Sequence, residues 1–259
     1  MNITDEELLM IEHLTYLNES VAKAAGLKGI ELVENRSIYT LLSSFDSTAI
    51  ANLEAKGDEP LAAEVSGYEW AQIIKYLQNN TRLNKLVLIE TMETPKGVPL
   101  ALCFTDGTPD TREAIIAFKG TTGGDEWSDN VEGAILRDTP DQIEALEFVQ
   151  GLPYADITLT GHSKGGNKAN YITILCDKVT RCVGFDPQGF SQLFLNDPKY
   201  SKRIEERASL IKNYSLSTDF VHILLYELPG AKQIFCKGFG VDSTGQHHSP
   251  NSFFYTDYY

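Results

Sequence analysis

Apolar positions recur at helical spacing from the start of the chain. Leu8, Leu9, Ile11, Leu14 and Leu17 follow Thr4 and Glu7, a capping-box pair, and predict a first helix running toward Asn18. From Ile38 to Tyr76 the intervals stay helix-like but break near Gly57-Asp-Glu-Pro60 and at Ser66-Gly67, which predicts two or three short helices. The texture changes at Leu86. Leu86-Val-Leu-Ile-Glu-Thr-Met92, Leu100-Ala-Leu-Cys-Phe104 and Ala114-Ile-Ile-Ala-Phe118 are β-rich runs separated by turn residues and predict an antiparallel meander. Beyond it, helices expected over Glu126 to Arg137, Pro140 to Gln150, Lys164 to Asp177 and Pro198 to Ala208 alternate with strands expected at Ile157 to Thr160, Cys182 to Phe185, Leu210 to Tyr214 and Gln233 to Cys236. Such alternation implies parallel strands with right-handed crossovers and a site at their carboxyl ends. The expected organisation is one α/β domain over residues 1–259, with a helical lead-in (1–85) and a core (86–259).

Composition narrows the function. The chain of 259 residues is 42% hydrophobic and 22% charged, within the range of globular proteins. Its 22 basic and 36 acidic residues give a net charge of −14, which disfavours nucleic acid and anionic lipid surfaces as partners. No run approaches eighteen apolar residues and no basic, apolar leader opens the chain, so a cytoplasmic protein without stable membrane insertion is expected. Cys103, Cys176, Cys182 and Cys236 stand singly, without metal-ligand spacing, and are expected as reduced thiols; no metal or other cofactor is implied.

The sharpest feature is Gly161-His-Ser-Lys-Gly165, a G-x-S-x-G pattern between an expected strand and an expected helix. A nucleophilic serine needs a strained turn to lift its hydroxyl from the sheet, flanking glycines to let strand and helix approach, and a helix N-terminus to meet the developing oxyanion. Ser163 is therefore the candidate nucleophile and the Lys164 backbone N–H a candidate oxyanion donor. Serine needs a base and an orienting acid. Of five histidines, His13 lies in the first helix, His162 inside the elbow facing the wrong way, and His222 in Phe220-Val-His-Ile-Leu-Leu225, where a satisfied core or helix histidine is expected. His247 and His248 follow the last strand, and His248 is favoured as the base. Asp219, just past the strand ending near Tyr214, is the expected acid, with Asp186 and Asp242 as rivals. Thr121, after Phe118-Lys-Gly120, would supply the second oxyanion donor.

In order, Phe118-Lys-Gly-Thr-Thr122, Trp127-Ser-Asp-Asn130, Gly161-His-Ser-Lys-Gly-Gly-Asn167, Asp219-Phe-Val221 and His248-Ser-Pro-Asn-Ser-Phe253 resemble the motifs of α/β-hydrolases related to class 3 lipases, most of all the bacterial Mbeg1-like group. The resemblance implies an α/β-hydrolase fold, Ser163, Asp219 and His248 as a triad, Thr121 and Lys164 as oxyanion donors, and Trp127 and Asn130 as braces of the oxyanion loop. Lys119 stands where such lipases usually have arginine, and His222 to Leu225 replaces a proline-rich stretch. The implied activity is hydrolysis of a small acyl ester or lipid-like substrate through an acyl-enzyme. Acyl transfer by the same intermediate, and a non-catalytic binding scaffold, are the alternatives. The aromatic stretch from Phe253 is expected to form a terminal helix packed on the domain, with partner docking the alternative.

Overall fold

The computed structural model describes residues 1–120, 136–238 and 246–254. Thr4 caps helix α1 (Asp5–His13) with both halves of the capping box in place, an arrangement worth about 1 kcal/mol. A 3-10 turn over Leu14–Tyr16 then ends the element. Four more helices complete the lead-in: α2 (Glu19–Ala24), α3 (Ile38–Leu41), α4 (Ser47–Glu54) and α5 (Gly67–Asn79). The breaks fall where the glycines and prolines do, and α2 is an addition that its six-residue length hid from periodicity. The helix expected over Glu126 to Arg137 lies mostly outside the described residues, and its last two positions, Leu136 and Arg137, are irregular.

Among the described residues eight strands form one sheet in sequential order: β1 (Arg36–Ser37), β2 (Val87–Glu93), β3 (Pro99–Thr105), β4 (Glu113–Phe118), β5 (Asp156–His162), β6 (Val179–Phe185), β7 (Ile211–Leu216) and β8 (Lys232–Cys236). Pairs from β1 to β4 are antiparallel and pairs from β4 to β8 parallel. Helix α6 (Pro140–Gly151) separates β4 from β5, α7 (Lys164–Leu175) separates β5 from β6, and α8 (Gln192–Leu195) with α9 (Pro198–Arg207) separates β6 from β7.

Alternate strand residues feed two apolar layers, as a period of two requires. Leu102, Phe104, Ile115 and Ala117 face the lead-in, where Leu8, Phe45 and Trp70 are fully buried. Ala101, Cys103, Ile116 and Phe118 face the other side with residues of α6, α7 and α9. The lead-in is thus one of the two helical layers of the molecule. Helix α1 is buried even at Glu7, Glu12 and His13, which ordinary amphipathicity would leave wet. Cys103, Cys176 and Cys182 are free and buried and Cys236 is half-buried, while no described helix is long and apolar enough to cross a membrane.

Candidate active site

Strand β5 ends at His162, and Ser163 turns the chain into α7 at φ 57° and ψ −126°, a left-handed conformation that costs a non-glycine residue about 1–3 kcal/mol. Ser163 occupies the N-cap position of α7, yet its hydroxyl is not spent on capping. The turn is clamped by its backbone: the Ser163 N–H donates to the Phe185 carbonyl at 2.9 Å, and the Ser163 carbonyl accepts from Asn167 N–H at 3.1 Å. The glycines are steric necessities. A Cβ on Gly165 would stand 2.1 Å from the Phe118 carbonyl oxygen, and one on Gly161 2.5 Å from the Gly165 carbonyl group. One on Gly120 would lie 3.0 Å from Ser163 Cβ, so the end of β4 abuts the serine. Buried Asn167 closes the motif: its Nδ2 donates to the Gln188 and Gly189 carbonyls at 3.1 and 2.8 Å, and its Oδ1 accepts from Gln142 at 2.7 Å. The sequence marked Asn167 as part of the motif without revealing this role as a clamp between α7, α6 and the turn after β6.

The first N–H groups of α7, that of Lys164 among them, precede its ladder and point toward the N-terminal end, where the helix dipole favours negative charge. The Lys164 ammonium is turned away to Asp141, 3.3 Å from its carboxylate.

Asp219 lies in the connection after β7. Its Oδ2 accepts from the backbone N–H groups of Val221 and His222 at 2.9 and 3.0 Å and lies 3.0 Å from His222 Nδ1. Its Oδ1 is 2.7 Å from His248 Nδ1. Burial raises the Asp219 carboxyl, but the hydrogen bond and charge of His248, helped by His222, outweigh it and hold the group at about 2. A carboxylate can only accept, so Nδ1 of His248 carries a proton, and in the neutral form of the ring Nε2 is the nitrogen that bears the lone pair. That Nε2 is buried and has no hydrogen-bond partner among the described residues.

The structure brings Asp219 and His248 together, and of the two adjacent histidines it is His248 that meets the acid. Thr121, Trp127, Asn130 and the rival acid Asp242 lie outside the described residues. Three further groups crowd the site. His222, expected to be a satisfied core or helix histidine, instead lies half-buried in irregular backbone as a second imidazole on Asp219, its ring edge-on to Phe235 at 5.7 Å. His162 is fully buried with its ring 4.6 Å from that of His248, and burial followed by the His248 charge pushes its pKa well below the ordinary value. Asp186, also at positive φ (43°), accepts from Leu216 N–H at 2.7 Å and keeps its other oxygen unpartnered among the described residues. Burial and then the Asp219 charge raise the carboxyl of this rival acid well above the usual range. No local pattern announces the meeting of these groups, because it joins the ends of β5, β6 and β7. Donor atoms of His162, Asp186 and His248 lie within 4.8 Å of one another, as do those of Asp186, Asp219 and His222; these are the described residues that could gather round a cation.

A mostly parallel sheet with an antiparallel start, a strained serine turn into a helix, and an acid–histidine pair at the strand carboxyl ends define an α/β-hydrolase fold. The chain belongs to the Mbeg1-like family, whose model matches residues 82–228. Among solved structures it is similar to the Lip2 lipase of Yarrowia lipolytica, at 13% identity over 67% of this chain and 84% of that one, with a TM-score of 0.40. It is similar as well to a 2,6-dihydroxy-pseudo-oxynicotine hydrolase, at 13% identity over 93% and 90% of the chains and a TM-score of 0.33. A third likeness is to an α/β hydrolase from the sediment metagenome of the lagoon of Mar Chica, Morocco, at 17% identity over 43% and 61% and a TM-score of 0.27. No curated protein matches the sequence.

Proposed function

We propose that this protein is a serine hydrolase of carboxylic esters, acting as a single domain on small, neutral or zwitterionic acyl substrates. The observation that carries the reading is the Asp219–His248 bond of 2.7 Å, which leaves a buried imidazole nitrogen unpartnered among the described residues in a site whose elbow presents an uncapped serine hydroxyl. In the first half-reaction Ser163 Oγ attacks the acyl carbon while its proton passes to His248 Nε2. The oxyanion is met by the Lys164 N–H and, from the segment after Gly120, by Thr121. Asp219 holds the imidazole tautomer and stabilises the imidazolium, and the collapsing intermediate expels the alcohol, which takes the proton from His248. Water, deprotonated by the same Nε2, then attacks the acyl-enzyme and frees the acid. Exposed Ile223 and Leu224, in the connection that carries Asp219, and Leu193 on α8 offer apolar surface suited to an acyl chain. The net charge of −14 disfavours strongly anionic substrates.

A fluorophosphonate should label Ser163 in the folded protein and fail to label a folded Ser163→Ala variant. His248→Ala should abolish labelling and hydrolysis of short neutral esters, whereas His247→Ala should retain both. A wild-type protein that neither labels nor cleaves any member of an acyl-chain series refutes the reading.

A further inference from the structure

The N-terminal segment reaches into this site through one hydroxyl. Tyr16, at the end of the 3-10 turn after α1, is 1% exposed. Its oxygen accepts the Gly120 N–H at 3.1 Å and lies 2.9 Å from His162 Nδ1. Gly120 follows β4 and His162 ends β5, immediately before Ser163, so a single oxygen joins the peptide after β4 to the imidazole that precedes the serine. The approach depends on Gly120 having no side chain, since a Cβ there would stand 2.5 Å from the tyrosine oxygen and 2.6 Å from the His162 carbonyl. The His162 ring in turn lies against the His248 ring at 4.6 Å and 35°. Glu12 of α1 sits below the same residue: burial pushes its carboxyl well above the usual range, while the Thr15 hydroxyl, the His162 backbone N–H and the Lys119 charge pull it back.

We propose that Tyr16 is a positioning residue of the hydrolase site, its hydroxyl fixing the Gly120 peptide beside the nucleophile and the His162 ring behind the base. The proposal rests on the serine-hydrolase reading above. A tyrosine present for packing alone would be served equally by phenylalanine; a buried hydroxyl with a peptide on one side and an imidazole on the other is placed for orientation. It also enters from outside residues 82–228, the segment that the family model matches. Because the hydroxyl meets the backbone and His162 instead of the substrate, its loss should slow the chemical step and leave substrate binding as it was.

The test is Tyr16→Phe in the full chain, with p-nitrophenyl butyrate as substrate. The expected result is a kcat about tenfold lower at unchanged KM, a matching drop in the rate of fluorophosphonate labelling, and displaced Gly120 amide and His162 imidazole resonances, the rate effect being that of one lost hydrogen bond. An unchanged kcat overturns the proposal, as does a kcat loss with both resonances in place. If Tyr16→Phe does not fold, 3-fluorotyrosine at position 16 preserves the shape and acidifies the hydroxyl; kcat and the His162 resonance should then move together, and movement of neither overturns the proposal. Failure of the wild-type protein both to label and to cleave any ester refutes the hydrolase reading itself, whereas equal labelling of wild type and Tyr16→Phe refutes only the role given to Tyr16.

Discussion

Replacing Asp219 by asparagine would test the triad more searchingly than deleting any member of it, because the outcome is set by which way an amide must point. At Oδ2 two backbone donors, Val221 N–H and His222 N–H, converge at 2.9 and 3.0 Å. At Oδ1 there is one partner, His248 Nδ1, at 2.7 Å. An asparagine has a single oxygen to offer. Aimed at His248 it would preserve the working tautomer but set its NH2 against two N–H groups, one buried and one part-buried, each left unsatisfied at about 1–3 kcal/mol. Aimed at the backbone it satisfies both and presents a donor to His248 Nδ1. The imidazole must then carry its proton on Nε2, where it cannot take one from Ser163. The difference favours the second arrangement by about 2–6 kcal/mol, so about 4% or less of molecules keep the competent tautomer, each 1.4 kcal/mol being a factor of ten. Asp219→Asn should therefore lose about 30-fold to 10⁴-fold in kcat, the upper end being what such a change brings in other triads. Steady-state hydrolysis of p-nitrophenyl butyrate and the rate of fluorophosphonate labelling read it directly. A variant retaining more than a tenth of the wild-type kcat refutes the tautomer argument; if Asp186→Asn proved the crippled variant instead, the acid would have been misassigned.

Two further predictions concern the frame around the site. Gly165→Ala would drive a methyl to 2.1 Å from the Phe118 carbonyl oxygen, where neither strand nor helix can yield cheaply. It should cost about 3 kcal/mol, read as a lower urea midpoint, and a midpoint equal to wild type would show that the elbow has slack. His13 is held by burial at about 4, below its ordinary 6.5, with Nδ1 2.7 Å from the Leu9 carbonyl. The unfolded chain thus takes up that proton first, so the stability His13 contributes is complete above pH 6.5 and drains as the pH falls to about 4. Asp186 and Glu12, both raised, work in the opposite sense, which makes a difference measurement necessary. Against His13→Asn, which can keep the bond to Leu9, wild type should lose about 3 kcal/mol between pH 7 and pH 4, and parallel stability curves would refute it.

The elements visible in the sequence were those governed by neighbours along the chain. Thr4 and Glu7 satisfy one another three residues apart, the β-rich runs alternate with a period of two, and the glycines around Ser163 serve contacts made within the same turn; each can be read from a short window. Asp219 and His248 were legible because strand-to-loop order places them, although 29 residues separate the pair. What stayed hidden was set by distant parts of the chain. Arg36–Ser37 is a strand only because Val87 and Leu88 lie beside it, and two residues make no period. Nothing in the spacing of α1 marks Glu12 and His13 as buried, yet the helix is enclosed by the sheet and the other lead-in helices. His222 was judged by its aliphatic neighbours, whereas its partner is the carboxylate three residues earlier in an irregular connection. Tyr16 met His162 across 146 residues, a distance over which no local pattern operates.

The contact of α7 against β4, closed to anything larger than hydrogen at Gly165, has a consequence for how this protein can change over evolutionary time. Ser163, the proposed nucleophile, stands in a turn that these contacts hold tightly, so its position is set in folding. Asp219, by contrast, sits in a connection of irregular backbone that also carries the exposed Ile223 and Leu224. If the protein hydrolyses esters as proposed, substitutions at those two side chains would retune which acyl groups are admitted while the carboxylate stays pinned by its own backbone donors. On that reading reactivity and selectivity belong to separate stretches of the chain, one frozen and one free to drift.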